Sequence, residues 1–147
     1  MSVRILALVG SLRAGSHNRQ LAEAAAKLAP EGAEVVLFEG LADVPFYNED
    51  IDVEGAVPAA AAALREAAQG ADAFLLFSPE YNGTMPAVLK NAIDILSPPF
   101  GAGPSRRTPL ALTLTALAPS GPLSAPHHTR TSVATSSAHS PQSTHTP

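Results

Sequence analysis

Two short segments concentrate the residues able to do chemistry: Gly10-Ser11-Leu12-Arg13-Ala14-Gly15-Ser16-His17-Asn18 and Ser78-Pro79-Glu80-Tyr81-Asn82-Gly83-Thr84-Met85-Pro86. Each follows an apolar, strand-like run and precedes a helical pattern, so each is expected to hold a ligand at the carboxyl end of a strand. In the first, Gly10 permits a sharp turn. Ser11, Ser16 and Asn18 offer short hydrogen-bonding groups at a helix amino end, whose free amides favour an anion. Arg13 adds a charge-assisted contact. That set suits one phosphate. In the second, Pro79 stiffens the exit from the strand, Gly83 allows a tight turn, and the backbone nearby can meet the edge of a heteroaromatic ring. Tyr81 supplies an aromatic face, and Asn82 either holds the turn or touches the ligand.

Both loops also have a plainer reading, in which Ser16 and Asn18 only cap the helix, Arg13 is solvated, and Pro79 and Gly83 only shape a turn. The spacing argues against other nucleotide loops. Ser16-His17 stands where a Walker A loop needs Lys followed by Ser or Thr, so nucleoside triphosphate hydrolysis lacks its central cation. A dinucleotide fingerprint would need Gly at positions 12 and 15, and only Gly15 is present, which disfavours a tightly bound NAD and removes Glu39 as a ribose-binding acid. Glu80 has no second carboxylate or histidine that the sequence sets beside it, so hydrolysis lacks a team and no catalytic side chain is assigned. There is no Cys, and His127-His128 lack spaced partners, so no metal ligands are assigned.

The elements that must position these loops are legible in the apolar pattern. Residues 3–9, 34–38 and 72–77 read as strands, the first and last suited to a parallel sheet covered on both faces. Leu21, Ala24, Ala25 and Leu28 recur at helical spacing behind Ser16 or Asn18 as cap. A second helix spans residues 59–69 between Pro58 and Gly70, with Val57, Ala61, Leu64 and Ala68 on its apolar face. Thr84 is expected to cap a third helix, with Pro86 in its first turn and Val88, Leu89, Ala92, Ile93 and Leu96 as its buried stripe. Such alternation implies an α/β fold with a three-layer, doubly wound parallel sheet, whose crossovers bring the loops after the first and third strands to one edge. Residues 39–56 form an acidic connection at the rim of that edge.

The 147 residues suffice for one domain. All 13 acidic residues lie in residues 1–97, whereas the last 50 residues hold nine of the 14 prolines and no acid. The expected division is a folded domain over residues 1–115, with residues 109–115 as a fourth strand, and a disordered Pro/Ser/Thr-rich tail over 116–147. Net charge is −4, which offers nucleic acid no general attraction. The leading apolar run is too short for a membrane span and lacks a basic leader, so the expected setting is cytoplasmic, with neither nucleic acid nor membrane as partner.

Taken together, Gly10-Ser11-Leu12-Arg13-x-x-Ser16-x-Asn18-Arg19 and the run from Pro79 to Asp94 closely resemble the NAD(P)H-dependent FMN reductases of the flavodoxin-like superfamily, over residues 3 to about 100. The resemblance implies FMN as cofactor and NADPH or NADH as electron donor. It places Ser11, Arg13, Ser16 and Asn18 around the FMN phosphate, and Pro79, Glu80, Tyr81, Asn82 and Gly83 along the isoalloxazine, largely through backbone. It implies ping-pong transfer to a small-molecule acceptor (free flavin, quinone, azo compound or metal oxyanion) and a homodimer or dimer-based tetramer whose partner helps close the site.

Residues 116–147 resemble none of the family's later elements, so the sheet is expected to be incomplete after the fourth strand and the third flavin loop missing. A shifted reading frame and a natural disordered extension both account for the compositional break. The alternative function is non-catalytic, a flavodoxin-like electron carrier or a truncated flavin-binding remnant.

Overall fold

In the computed structural model, which describes residues 2–98 and 109–115, strands and helices alternate: β1 (Val3–Val9), α1 (His17–Lys27), β2 (Ala33–Leu37), α2 (Ala59–Gln69), β3 (Ala73–Pro79), α3 (Ala87–Leu96) and β4 (Leu110–Thr115). The connection from β2 to α2 contains only two short 3-10 turns, Leu41–Asp43 and Glu49–Ile51. All strand pairs are parallel, in the order β2-β1-β3-β4. From β1 the chain goes to β2 on one side and later to β3 on the other, so the strand order reverses between β1 and β3. An open α/β sheet has its ligand crevice at that point.

Alternation of side chains along each strand sorts the core into two layers. Leu6 and Leu8 of β1 and Phe74 and Leu76 of β3 pack with Leu41, Ala61, Leu64, Leu89 and Ile95, which sets α2 and α3 on one face. Ala7, Val9 and Phe77 pack with Ala22 of α1 on the other. The expected three-layer, doubly wound arrangement is therefore present. α2 and α3 bury the stripes read from the sequence, with Val57 and Val88 only partly covered.

Two expectations are corrected. The buried face of α1 is Asn18 and Ala22, with Ala25 partly covered, whereas Leu21 is 40% and Leu28 81% exposed. Small side chains let the helix lie close to the sheet, with Asn18 and Ala22 buried on that face. Thr84 does not cap α3. Its amide and carbonyl are engaged with Tyr81 in a hairpin, and Pro86 is the N-cap, its carbonyl accepting from the amides of Leu89 at 3.1 Å and Lys90 at 3.2 Å. The 116–147 tail, the completeness of the sheet beyond β4 and the third flavin loop lie outside the described residues.

Candidate functional site

The β1–α1 loop is anchored before it turns. The Gly10 amide donates to the Phe77 carbonyl at 2.8 Å, continuing the β1–β3 ladder by one residue. A Cβ on Gly10 would sit 2.5 Å from Leu89 Cδ1, 2.8 Å from its Cγ and 3.1 Å from Pro86 Cγ. The backbone of the first loop thus lies directly against the start of α3, which follows the second loop. Only glycine permits so close an approach, and it brings the two motif loops together at the switch point.

Within the first loop the Ser16 amide donates to the Arg13 carbonyl at 3.1 Å, and Ser16 Oγ accepts from the Arg19 amide at 3.2 Å, so Ser16 is the N-cap. Ser11, Ser16 and Asn18 are buried, while Arg13 is exposed. The Arg13 guanidinium makes no ion pair or side-chain hydrogen bond among the described residues. The first turn of α1 carries no acid. A helix amino end, two serines and an uncommitted arginine are chemically suited to a phosphate, so the donor set fits the phosphate end of FMN.

A cleft of about 290 Å³ opens between Ser11–Ala14 and residues 37–42. Glu39 on its wall receives both arms of the Arg19 guanidinium, at 2.7 and 2.6 Å. The hydrogen bond from Arg19 holds Glu39 below its ordinary value. Glu39, set aside in the sequence as a ribose-binding acid, is therefore already neutralised by a partner.

The second loop leaves β3 through Ser78, fully buried, whose Oγ donates to the Pro79 carbonyl at 2.8 Å. Pro79 is buried and Glu80 half-buried. Tyr81 and Thr84 then exchange two backbone bonds of 3.0 and 3.1 Å around Asn82 and Gly83, both with positive φ, at 52° and 76°. This is a two-residue hairpin of the Asn-Gly type, which needs left-handed backbone at both central positions. Asn82 therefore holds the turn. The Tyr81 and Thr84 amides are used inside it, while the Tyr81 ring is half exposed. Gly83→Ala is expected to cost about 1–2 kcal/mol, the penalty of left-handed backbone for a residue with a Cβ, read as a lower urea midpoint at unchanged slope.

The connection from β2 to α2, expected from the sequence at the rim of the site, is fastened by contacts that sequence reasoning missed. Asn91 of α3 accepts from the Tyr47 amide through Oδ1 and donates to the Pro45 carbonyl through Nδ2, both at 2.9 Å. Arg65 of α2 grips Asp52 with two bonds of 2.5 and 2.8 Å and donates to the Ile95 carbonyl at 2.8 Å. The Arg65 hydrogen bond holds the Asp52 carboxyl below its usual value. Burial, followed by the charge of Asp52, raises Tyr47. Asn91 lay inside the second motif, but a partner more than 40 residues away leaves no local signal.

The Asp52–Arg65 grip has a pH consequence. A carboxyl lowered on folding stabilises fully above its unfolded value of about 3.9, and the contribution is lost as pH falls through the lower folded value. Hydrogen exchange of residues 45–52 is therefore expected to speed up relative to the rest of the chain only below that range. Asp52→Asn should abolish the difference.

Among the described residues no helix is long and apolar enough to cross a membrane, and no three potential metal-binding side chains cluster. The family model for NADPH-dependent FMN reductases matches residues 3–145. The chain belongs to that family. The match runs well past residue 100, where the resemblance read from the motifs ends. The family's description names NADPH as electron donor and FMN as the flavin.

A quinone reductase of Pseudomonas putida is 38% identical over 129 residues, covering 88% of this chain and 68% of that protein. A quinone reductase of Escherichia coli K12 is 42% identical over 95 residues, covering 65% of this chain and 50% of that one. Among solved structures, the Paracoccus denitrificans flavoenzyme NAD(P)H:(acceptor) oxidoreductase FerB superposes with a TM-score of 0.82 at 30% identity, covering 92% of this chain and 72% of that chain. The chain thus spans about half to two thirds of the length of the curated quinone reductases it matches.

Proposed function

We propose that this chain is an NAD(P)H-dependent FMN reductase that passes electrons to a quinone-type small-molecule acceptor. The observation that carries this reading is the packing of Gly10 against Leu89 and Pro86, which sets the two family loops side by side at the switch point. Ser11, Arg13, Ser16 and Asn18 hold the phosphate of FMN, Arg13 supplying the charge. Pro79 and Glu80, with the hairpin of Tyr81, Asn82 and Gly83, line the ring. Tyr81 contributes its aromatic face, since its amide is committed within the turn.

FMN held by these residues would supply the two-electron redox chemistry that links NAD(P)H to the acceptor. The chain's part is to orient the ring and the phosphate, on a second loop that leaves the buried end of β3 at Ser78 and Pro79. No side chain is assigned a proton transfer. We further propose a cytoplasmic homodimer or dimer-based tetramer, in line with the half-exposed Tyr81 beside the crevice. Titration of the purified protein with FMN, followed by flavin fluorescence, is expected to show saturable binding. A folded protein that leaves the fluorescence unchanged would contradict the reading.

A further inference from the structure

The first loop has two flanks. β3 lies on one side of β1 and β2 on the other, so the second loop borders one flank and the cleft of about 290 Å³ opens on the other. Among the described residues lining that cleft, the charged ones are Arg13, Arg19 and Glu39. The Phe38 amide donates to the Ala7 carbonyl at 3.0 Å, which carries the β1–β2 pairing one residue past β2 and fixes the backbone from which Glu39 starts. A carboxylate is thus built into the wall opposite the loop that offers Ser11 and Arg13.

Such a carboxylate works against phosphate binding, because like charges repel and a phosphate ester carries up to about two of them. Arg19 compensates it. Its two terminal nitrogens take both Glu39 oxygens, at 2.7 and 2.6 Å, and its Nε donates to Glu23 at 3.0 Å. The helix gains little from this cation. Arg19 is the third residue of α1, where the macrodipole disfavours positive charge, and Arg ahead of Glu is the less favourable order for an i,i+4 pair. The fold gains little either, since the Arg19 and Glu39 side chains are 42% and 61% exposed and exposed pairs contribute little to stability. The Arg19 amide is the donor to Ser16 Oγ, so the compensating charge rides on the same turn as the phosphate donors.

We propose that Arg19 is a positioning residue for the phosphate site, acting through Glu39: it engages both carboxylate oxygens and cancels the charge that would otherwise face a bound phosphate monoester. This rests on the reductase reading above, and its test separates the two. Dissociation constants for FMN and riboflavin are measured by flavin fluorescence in the unmutated chain, Arg19→Ala, Glu39→Gln and the double variant.

Arg19→Ala leaves Glu39 without this partner and is expected to weaken FMN binding by about 3- to 10-fold, the scale of an exposed charge acting on a doubly charged group. Riboflavin binding should be unchanged, and high salt should shrink the FMN loss. Glu39→Gln should bind FMN at least as tightly as the unmutated chain. The double variant removes both charges together and should return FMN affinity to within about twofold of the unmutated value. A brace between α1 and β2 would behave otherwise, all three variants weakening FMN. A double variant as weak as Arg19→Ala would overturn the proposal, assigning Arg19 a bracing role or a direct phosphate contact. So would an equal loss for riboflavin, or unchanged FMN binding in Arg19→Ala. If Arg19→Ala does not fold, Arg19→Gln removes the same charge with a longer side chain and the same outcomes apply. An unmutated chain that binds no FMN would instead remove the reductase reading, and this inference with it.

Discussion

Arg13→Ala is expected to weaken FMN binding by about 10- to 150-fold while changing riboflavin binding little. Arg13 is the exposed cation of the first loop, and its guanidinium is committed to no other group among the described residues. A hydrogen bond to a charged group contributes roughly 1.5–3 kcal/mol, and each 1.4 kcal/mol is tenfold in affinity. Riboflavin carries the same ring without the phosphate, so the ratio of the two dissociation constants isolates the phosphate end. Arg13→Lys should recover only part of the loss, since a point charge replaces a planar fork. Equal weakening of FMN and riboflavin would remove Arg13 from the phosphate site.

Gly10→Ala is expected to destabilise the fold by about 1–3 kcal/mol, the usual cost of adding atoms to a filled site, and to reduce FMN affinity with it. The added carbon would meet Leu89 at 2.5 and 2.8 Å and Pro86 at 3.1 Å. Leu89 is fully buried and the proline ring is stiff, so neither neighbour has room to retreat. The strain is relieved only by moving the first loop away from α3, which separates the two halves of the site. Urea unfolding measures the stability loss, and fluorescence titration the affinity. Gly15→Ala is the control, because a Cβ there meets nothing within 4 Å. Equal stability of both variants would mean that the loops are not pressed together at Gly10.

The sheet and the meeting of its two loops were legible because their signals are local. The strands are continuous apolar runs, and Gly10, Ser16, Pro79 and Gly83 carry turn and cap chemistry in their own neighbourhood. The face of α1 was misread because leucines outweigh alanines in any hydrophobic pattern. The helix instead turns the small Ala22 and the buried Asn18 toward the sheet. Thr84 was misread because a Thr shortly before a helix suggests a cap. The Asn82-Gly83 pair between Tyr81 and Thr84 was the stronger signal, for a hairpin.

The fastening of the connection by Asn91 and Arg65 was not legible at all. Their partners lie 44 and 46 residues away for Asn91 and 13 and 30 for Arg65, at spacings that no periodicity encodes. The extent of family membership was also underestimated. The family match continues to residue 145 across a segment whose proline, serine and threonine content hides it from inspection.

The central claim is that these two loops, held together at Gly10, make a flavin site that NAD(P)H can reduce. The most direct test is to mix the FMN-loaded protein with NADPH without oxygen, follow the visible flavin absorbance, and then add 1,4-benzoquinone. The account predicts rapid bleaching, far faster than for free FMN, followed by full recovery of colour on adding the quinone. Bound flavin that bleaches no faster than free FMN would contradict it and leave a flavin-binding protein without reductase activity.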